Sequence, residues 1–204
     1  MEERLQGNPV SEGIAYAKSY IYIPGTLTKA PDFFPKGQEE EKYREFRESC
    51  EKADSELVTL YNGMCKEDPD KAKIFSAHRE LLQDEEILDE IRETICEENM
   101  NPDSAVSKVY TEFAELLAGV EDPLIAERAA DLRDVRDRLL RILSGQETSK
   151  LSSFSEDVIL VAHDLLPSDT ATMDRKHIKG ILTEVGGVNS HSAILARSYG
   201  IPAI

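Results

Sequence analysis

The sequence predicts an α/β unit interrupted by an inserted antiparallel α-helical bundle. Three observations carry that prediction. From about residue 37 to residue 144, apolar residues recur at three- and four-residue steps, the period of helices with one buried face. On either side the texture changes to short apolar runs bounded by Pro and Gly, as in strands. Val158-Ile159-Leu160-Val161-Ala162 is a near-continuous apolar run, typical of a strand covered on both faces.

Each element follows from local pattern. Gly13–Ala17 and Ser19–Ile23 read as strands between Pro9 and Pro24, and residues 24–36, with Pro24, Gly25, Pro31 and Pro35, read as a linker. Tyr43, Phe46, Cys50, Ala53, Leu57, Leu60 and Met64 form one stripe of a long helix that Asp68-Pro69-Asp70 breaks. A second helical stretch carries Ile74, Phe75, Leu81 and Leu82, then Ile87, Leu88, Ile91 and Ile95, with a bend or restart at Gln83-Asp84-Glu85-Glu86. Val106, Val109, Tyr110, Phe113, Leu116 and Leu117 mark a third, ending near Gly119. Pro123 opens a fourth that runs through Leu132, Val135, Leu139, Leu140 and Leu143 to Gly145. Short connections between such helices imply an antiparallel bundle. Beyond it, Val158–Ala162, a short helix opened by Pro167-Ser168-Asp169-Thr170, Gly180–Thr183, a helix over 190–199 and a strand over 201–204 alternate as β–α–β–α–β. Residues 1–35 and 145–204 are therefore expected to form the α/β unit, and 36–144 the insertion. Ending inside an expected strand suggests a piece of a longer protein.

Composition narrows the function classes. With 204 residues, 40% hydrophobic and 31% charged, the chain has an ordinary globular composition. No apolar run approaches the roughly 18 residues of a membrane span, and no secretory signal pattern opens the chain. Cys50, Cys65 and Cys96 show no CxxC spacing, so reduced cysteines in the cytoplasm are expected, and the scattered His78, His163, His177 and His191 give no metal-ligand spacing. The formal net charge of −16 argues against nucleic acid and anionic membranes as partners. Residues 36–145 hold 29 acidic against 16 basic side chains, a field suited to a basic protein partner and also to ordinary solvated helices.

The chemistry concentrates at Gly186-Gly187-Val188-Asn189-Ser190-His191. Ile181-Leu182 reads as a buried strand, the glycines as a tight loop, and Ser190-His191 as the start of an apolar-periodic helix. A helix start points unpaired N–H groups and a positive dipole end at whatever the imidazole carries, which favours an anion. With an ordinary pKa of about 6.5, the neutral ring is a nucleophile near pH 7. A histidine that takes up and passes on a phosphoryl group fits this pattern, as does a histidine that merely follows a Ser N-cap.

The run Gly186-Gly187-x-x-Ser190-His191-x-x-Ile194-x-Ala196-Arg197, followed by Gly200-Ile201-Pro202-Ala203, resembles the phosphohistidine signature of the phosphoenolpyruvate-utilising enzymes. These include enzyme I of the sugar phosphotransferase system, pyruvate phosphate dikinase and phosphoenolpyruvate synthase. Further matches are Pro9-x-x-x-Gly13-Ile14-Ala15, His78 with Leu81-Leu82-x-Asp84-Glu85-Glu86, the stretch Glu127 to Asp134, and Val158–Ala162 with Asp164-Leu165 and Pro167-Ser168. A helical insertion ahead of the signature resembles the N-terminal half of enzyme I. The dikinase and synthase instead place an ATP-binding domain there, and this sequence has no phosphate-binding Gly/Lys loop. Asn189 departs from the threonine common at that position; its amide still donates and accepts hydrogen bonds.

The resemblance implies a swivelling phosphohistidine domain in which His191 is phosphorylated on its distal ring nitrogen. Thr170 is implied to hydrogen-bond the ring or the phosphoryl group, although its position also suits a first-turn helix residue. Gly186 and Gly187 are expected to allow close backbone approach, Ser190 to cap the helix, and Arg197 to form a structural ion pair. The helical insertion is implied to dock HPr, the phosphocarrier protein, through Asp70, Leu81, Leu82, Asp84, Glu85, Glu86, Leu117 and Arg128. Each leucine also suits the core, Leu82 above all, and His78 suits a capping or packing role. Phosphoenolpyruvate and Mg²⁺ are implied to bind a C-terminal domain, also the dimerisation domain, with no cofactor or metal in the 204 residues themselves. The alternatives are the mobile domain of a dikinase- or synthase-like enzyme and a non-catalytic interaction module that keeps the motif as a fold element.

Overall fold

The computed structural model describes residues 6–23, 32–66, 68–145, 150–188 and 190–204. For Pro123, Leu124, Ala126, Glu127, Lys150, Ser168, Ala171, Thr172 and His191 it describes the backbone alone. The linker positions Pro24, Gly25 and Pro31 and the loop residue Asn189 lie outside the described residues. The chain divides into two compact units, Met1–Pro24 with Thr148–Ile204, and Gly25–Glu147.

The second unit contains α1 (Glu39–Cys65), α2 (Pro69–Leu82), α3 (Glu85–Cys96), α4 (Pro102–Ala118) and α5 (Pro123–Leu143). Glu39, Glu40 and Glu41 oppose the positive end of α1, and Phe46, Cys50, Ala53, Leu57 and Met64 form its buried stripe. Burial pushes the Cys50 thiol up to about 12, so it behaves as a small apolar core residue. The second helical stretch is two helices. Asp84 Oδ1 accepts from the amides of Glu86 and Ile87 at 3.1 and 3.2 Å and starts α3, as Asp68 does for α2.

Two expectations need correction in this unit. Leu116 is 69% exposed, whereas Ala114 is buried; the core stripe of α4 runs through Ala105, Val106, Val109, Tyr110 and Ala114, and Leu116 falls off that stripe. Residues 32–34 are paired with the bundle: Asn101 N donates to Asp32 O and Phe34 N to Asn99 O, both at 2.9 Å, and Phe34 is buried. The linker expected over 24–36 therefore gives way to bundle structure by residue 32.

In the first unit, β1 (Lys18–Tyr22), β2 (Val158–Ala162) and β3 (Ile178–Thr183) form a parallel sheet in that order. The short α6 (Pro167–Thr172) lies in the β2–β3 crossover, and α7 (His191–Tyr199) follows β3. Leu160, Ile178, Ile181, Ala196 and Ile201 meet in the core with Leu151 and Met173.

Three strand readings change. Val158, Leu160 and Ala162 are buried, but Ile159 and Val161 on the opposite face are only half-buried, so β2 has one fully covered face. Residues 13–17 stay outside the sheet, with Ile14 and Tyr16 fully exposed. Ala15 instead lies over Gly180, where any side chain would meet Ile159 Cδ1 at 3.0 Å and Ala15 Cβ at 3.2 Å. Residues 201–204 bond to the edge of β3 and to Val10 and Ser11 without forming a full strand, since Pro202 has no N–H to continue a ladder.

Candidate functional site

The parallel strands set the site. All three run in the same direction, so the loops after their carboxyl ends gather at one edge, where open α/β sheets hold ligands. The Gly186-Gly187 loop leaves β3 at that edge and leads directly into α7. Gly186 has φ +123°, in the left-handed region that a side chain disfavours, and its Cα faces the Ser190 side chain. The turn then closes through Ser190 N donating to Gly187 O at 2.9 Å.

Ser190 is the N-cap of α7: its Oγ accepts from Ala193 N at 3.2 Å and lies 3.0 Å from Ser192 Oγ. His191 is the first helical residue. By helix geometry the amides of His191 and Ser192 fall outside the intrahelical ladder, so the donors and the positive dipole end sit at the histidine. Asn189 and the imidazole itself lie outside the described atoms.

Arg197 holds this loop. Its Nη2 donates to Val188 O at 2.7 Å and its Nη1 to Val10 O at 3.0 Å. The expected ion pair is therefore a two-carbonyl clamp: the guanidinium fork spans two backbone acceptors that a carboxylate partner would have displaced.

Thr170 lies in α6, which packs against α7, and is 1% exposed. Its hydroxyl donates into its own helix, 2.9 Å from Pro167 O and 3.3 Å from Leu166 O. The preceding residue, Asp169, fixes the start of α6: Oδ2 accepts from Leu166 N at 3.1 Å and Oδ1 from the Tyr22 hydroxyl at 2.8 Å, tying α6 to β1. Sequence reasoning missed Asp169 and Tyr22; an Asp three residues into a Pro-initiated helix was the available signal. Beside the loop, Nδ1 of His163, just past β2, lies 2.9 Å from Glu184 Oε2, just past β3, with both side chains exposed. Among the described residues no group of three or more His, Cys, Asp or Glu side chains is placed to hold a metal ion.

In the bundle, the residues expected to meet a partner divide by burial. Asp70, Asp84, Glu85, Glu86 and Arg128 are exposed, Leu81 and Leu117 half-buried, and Leu82 is core at 2% exposure. Asp84 also serves as the α3 cap. Exposed Leu116 and Ile125 add apolar surface on α4 and α5 that the sequence reading assigned to the core or passed over. No described helix is long and apolar enough to cross a membrane.

Comparison with known proteins gives a consistent family. Residues 6–128 match the model described as PEP-utilising enzyme, N-terminal, and residues 154–204 the one described as PEP-utilising enzyme, mobile domain. The phosphoenolpyruvate-protein phosphotransferase of Priestia megaterium is 39% identical over 205 residues, covering 100% of this chain and 35% of that protein. The chain thus spans about a third of the length of the relatives it matches. A solution NMR structure of Enzyme I (nEIt) superposes with a TM-score of 0.81 at 37% identity, covering 96% of this chain and 79% of that one. A structure described as the N-terminal domain of Enzyme 1 - Nitrogen covers similar shares, 96% and 80%, with a TM-score of 0.65 and 26% identity.

Proposed function

The chain belongs to the PEP-utilising enzymes, in their enzyme I branch, and from that premise we propose that it accepts a phosphoryl group on His191 and relays it to a histidine of HPr. The observation that carries this reading is the Ser190-capped start of α7, which places His191 where amide donors and a positive dipole end converge behind a Gly-Gly loop. Phosphoryl transfer needs alignment and charge neutralisation more than covalent machinery, and a helix start held by Arg197 supplies both.

Thr170 sets the reacting nitrogen in this account. Its hydroxyl proton is engaged by the Pro167 carbonyl, so toward an imidazole it offers lone pairs only. A ring N–H donated to Thr170 fixes the tautomer in which the distal nitrogen carries the nucleophilic lone pair. HPr docks on the acidic bundle surface of Asp70, Glu85 and Glu86, with Leu81 and Leu117 as apolar contacts and Arg128 at its margin. Phosphoenolpyruvate and Mg²⁺ act on the part of the relatives that lies outside the matched third. The greater likeness to the 37% identical Enzyme I than to the nitrogen-branch domain favours the sugar system, working in the cytoplasm.

Incubation with radiolabelled phospho-HPr tests the proposal. Acid-labile label should move onto this chain and back again, and phosphoenolpyruvate with Mg²⁺ alone should leave the 204-residue polypeptide unlabelled. Absence of transfer from phospho-HPr would defeat the relay reading and favour a non-catalytic module.

A further inference from the structure

Two contacts tie the N-terminal segment to the elements that carry the candidate site. Arg197 of α7 donates to Val10 O, and the Tyr22 hydroxyl of β1 donates to Asp169 Oδ1 of α6 at 2.8 Å. The first contact holds the Gly-Gly loop. The relay chemistry makes no use of the second, although Asp169 directly precedes Thr170.

α6 needs such a tie. It has six residues, and a helix so short does not hold its shape in water on its own. Asp169 braces it with both oxygens. Oδ2 accepts from Leu166 N and closes the first turn, while Oδ1 takes the Tyr22 proton, so one carboxylate joins that turn to the sheet. Asp169 and Thr170 are both buried, away from the water that would compete for these bonds. Thr170 has little freedom of its own within the turn. Its N–H bonds to Leu166 O at 3.1 Å and its hydroxyl to Pro167 O at 2.9 Å. Where the turn moves, the Thr170 oxygen moves with it, against the helix that opens with His191.

We propose that Tyr22 is a positioning residue of the phosphoryl-accepting site, its hydroxyl holding Asp169 and so setting the Thr170 oxygen against the His191 ring. The inference rests on the relay reading, in which Thr170 accepts the proximal ring N–H. A tyrosine 147 residues from Asp169, on the far side of the inserted bundle in sequence, thereby takes part in the site. Tyr20 supplies the comparison. It lies two residues earlier on the same face of β1 and is half-buried like Tyr22, but its ring stands edge-on to Phe154 at 4.9 Å between centroids.

Tyr22→Phe removes one oxygen and keeps the ring that packs on the core. Single-turnover transfer from phospho-HPr should slow about tenfold in Tyr22→Phe and stay at the wild-type rate in Tyr20→Phe, with circular dichroism unchanged in both. A general loss of stability adds to any other defect, whereas action through Thr170 does not. In a Thr170→Val background, Tyr22→Phe should therefore cost nothing further. Equal rates in the two tyrosine variants, or an undiminished loss in the Thr170→Val background, overturn the proposal. Ring-nitrogen correlation spectra of the ¹⁵N-labelled chain at about pH 8.5, where an ordinary imidazole is neutral, read the same device without any transfer. His191 should carry its proton on the proximal nitrogen in the wild type and in Tyr20→Phe, and shift toward the distal N–H form in Tyr22→Phe. An unchanged tautomer in Tyr22→Phe overturns the proposal. Absent transfer with that shift present overturns the relay and supports the positioning role.

Discussion

Arg197 of α7 donates a 2.7 Å hydrogen bond to the carbonyl of Val188, across the loop that leads into His191. Its second nitrogen reaches Val10, so one guanidinium fixes the loop against the N-terminal segment. The fork geometry makes this a positioning contact rather than a phosphate ligand.

Arg197→Ala should therefore leave the fold intact and slow phosphoryl transfer about tenfold, since small misplacements of a reacting group are costly. Arg197→Lys should rescue it poorly, because an ammonium on a single stem cannot span two carbonyls. Single-turnover transfer from phospho-HPr, with circular dichroism as the folding control, measures this. Wild-type rates in both variants would remove Arg197 from the account.

Thr170→Val keeps the volume of the buried side chain and deletes its oxygen. The tautomer argument predicts a loss of about ten- to a hundredfold in transfer rate, the range seen when a group orienting a functional histidine is removed. Thr170→Ser should restore most of the rate. Equal rates in the Val and Ser variants would leave Thr170 as a helix residue only.

The acidic bundle surface predicts a salt-dependent encounter with HPr. Association should slow between low and physiological ionic strength, as screening shortens to about 8 Å. Reversing Glu85 and Glu86 to Lys should act chiefly on the on-rate, by about tenfold, with bundle stability little changed because both side chains are exposed. Stopped-flow association rates at two salt concentrations measure it. Insensitivity to both changes would place docking elsewhere.

Acid should loosen the α/β unit at a definite place. Asp174 is held well below the ordinary carboxylate range, at about 2, by the amide of Phe154, by the His177 side chain and by the amide of Lys176. A depressed carboxylate contributes stability that is present above its unfolded value near 3.9 and lost as pH falls toward 2. Asp174→Asn should reduce stability at pH 5 and abolish that part of the acid dependence between about 4 and 2, read by denaturant melts. A parallel acid profile in the variant would contradict the assignment.

Much of this was legible in the sequence because it is written in short-range terms. The α1 stripe from Phe46 to Met64, the Asp84 restart, the β2 run and the Ser190–His191 helix start each depend on neighbours within one turn or one pleat. What escaped depends on distant partners. Ala15 lies over the sheet because Gly180 lacks a side chain, and Phe34 is buried because residues 99–101 accept and donate across the bundle. Leu116 matches the helical period by spacing alone, and only the placement of Ala114 shows that the core lies elsewhere. His78 was readable as a packing residue, whereas its neighbours on α5, Asp131 and Asp134, lie some fifty residues on.

The central claim is that His191 carries the phosphoryl group. The direct measurement is phosphate uptake from phospho-HPr by the wild-type chain and by His191→Ala, with the modified residue located by mass spectrometry and its linkage read by ³¹P NMR. The account predicts acid-labile phosphate on the distal nitrogen of His191 in the wild type and none in a folded His191→Ala chain. Equal uptake by the variant, or phosphate located on any other residue, would contradict it.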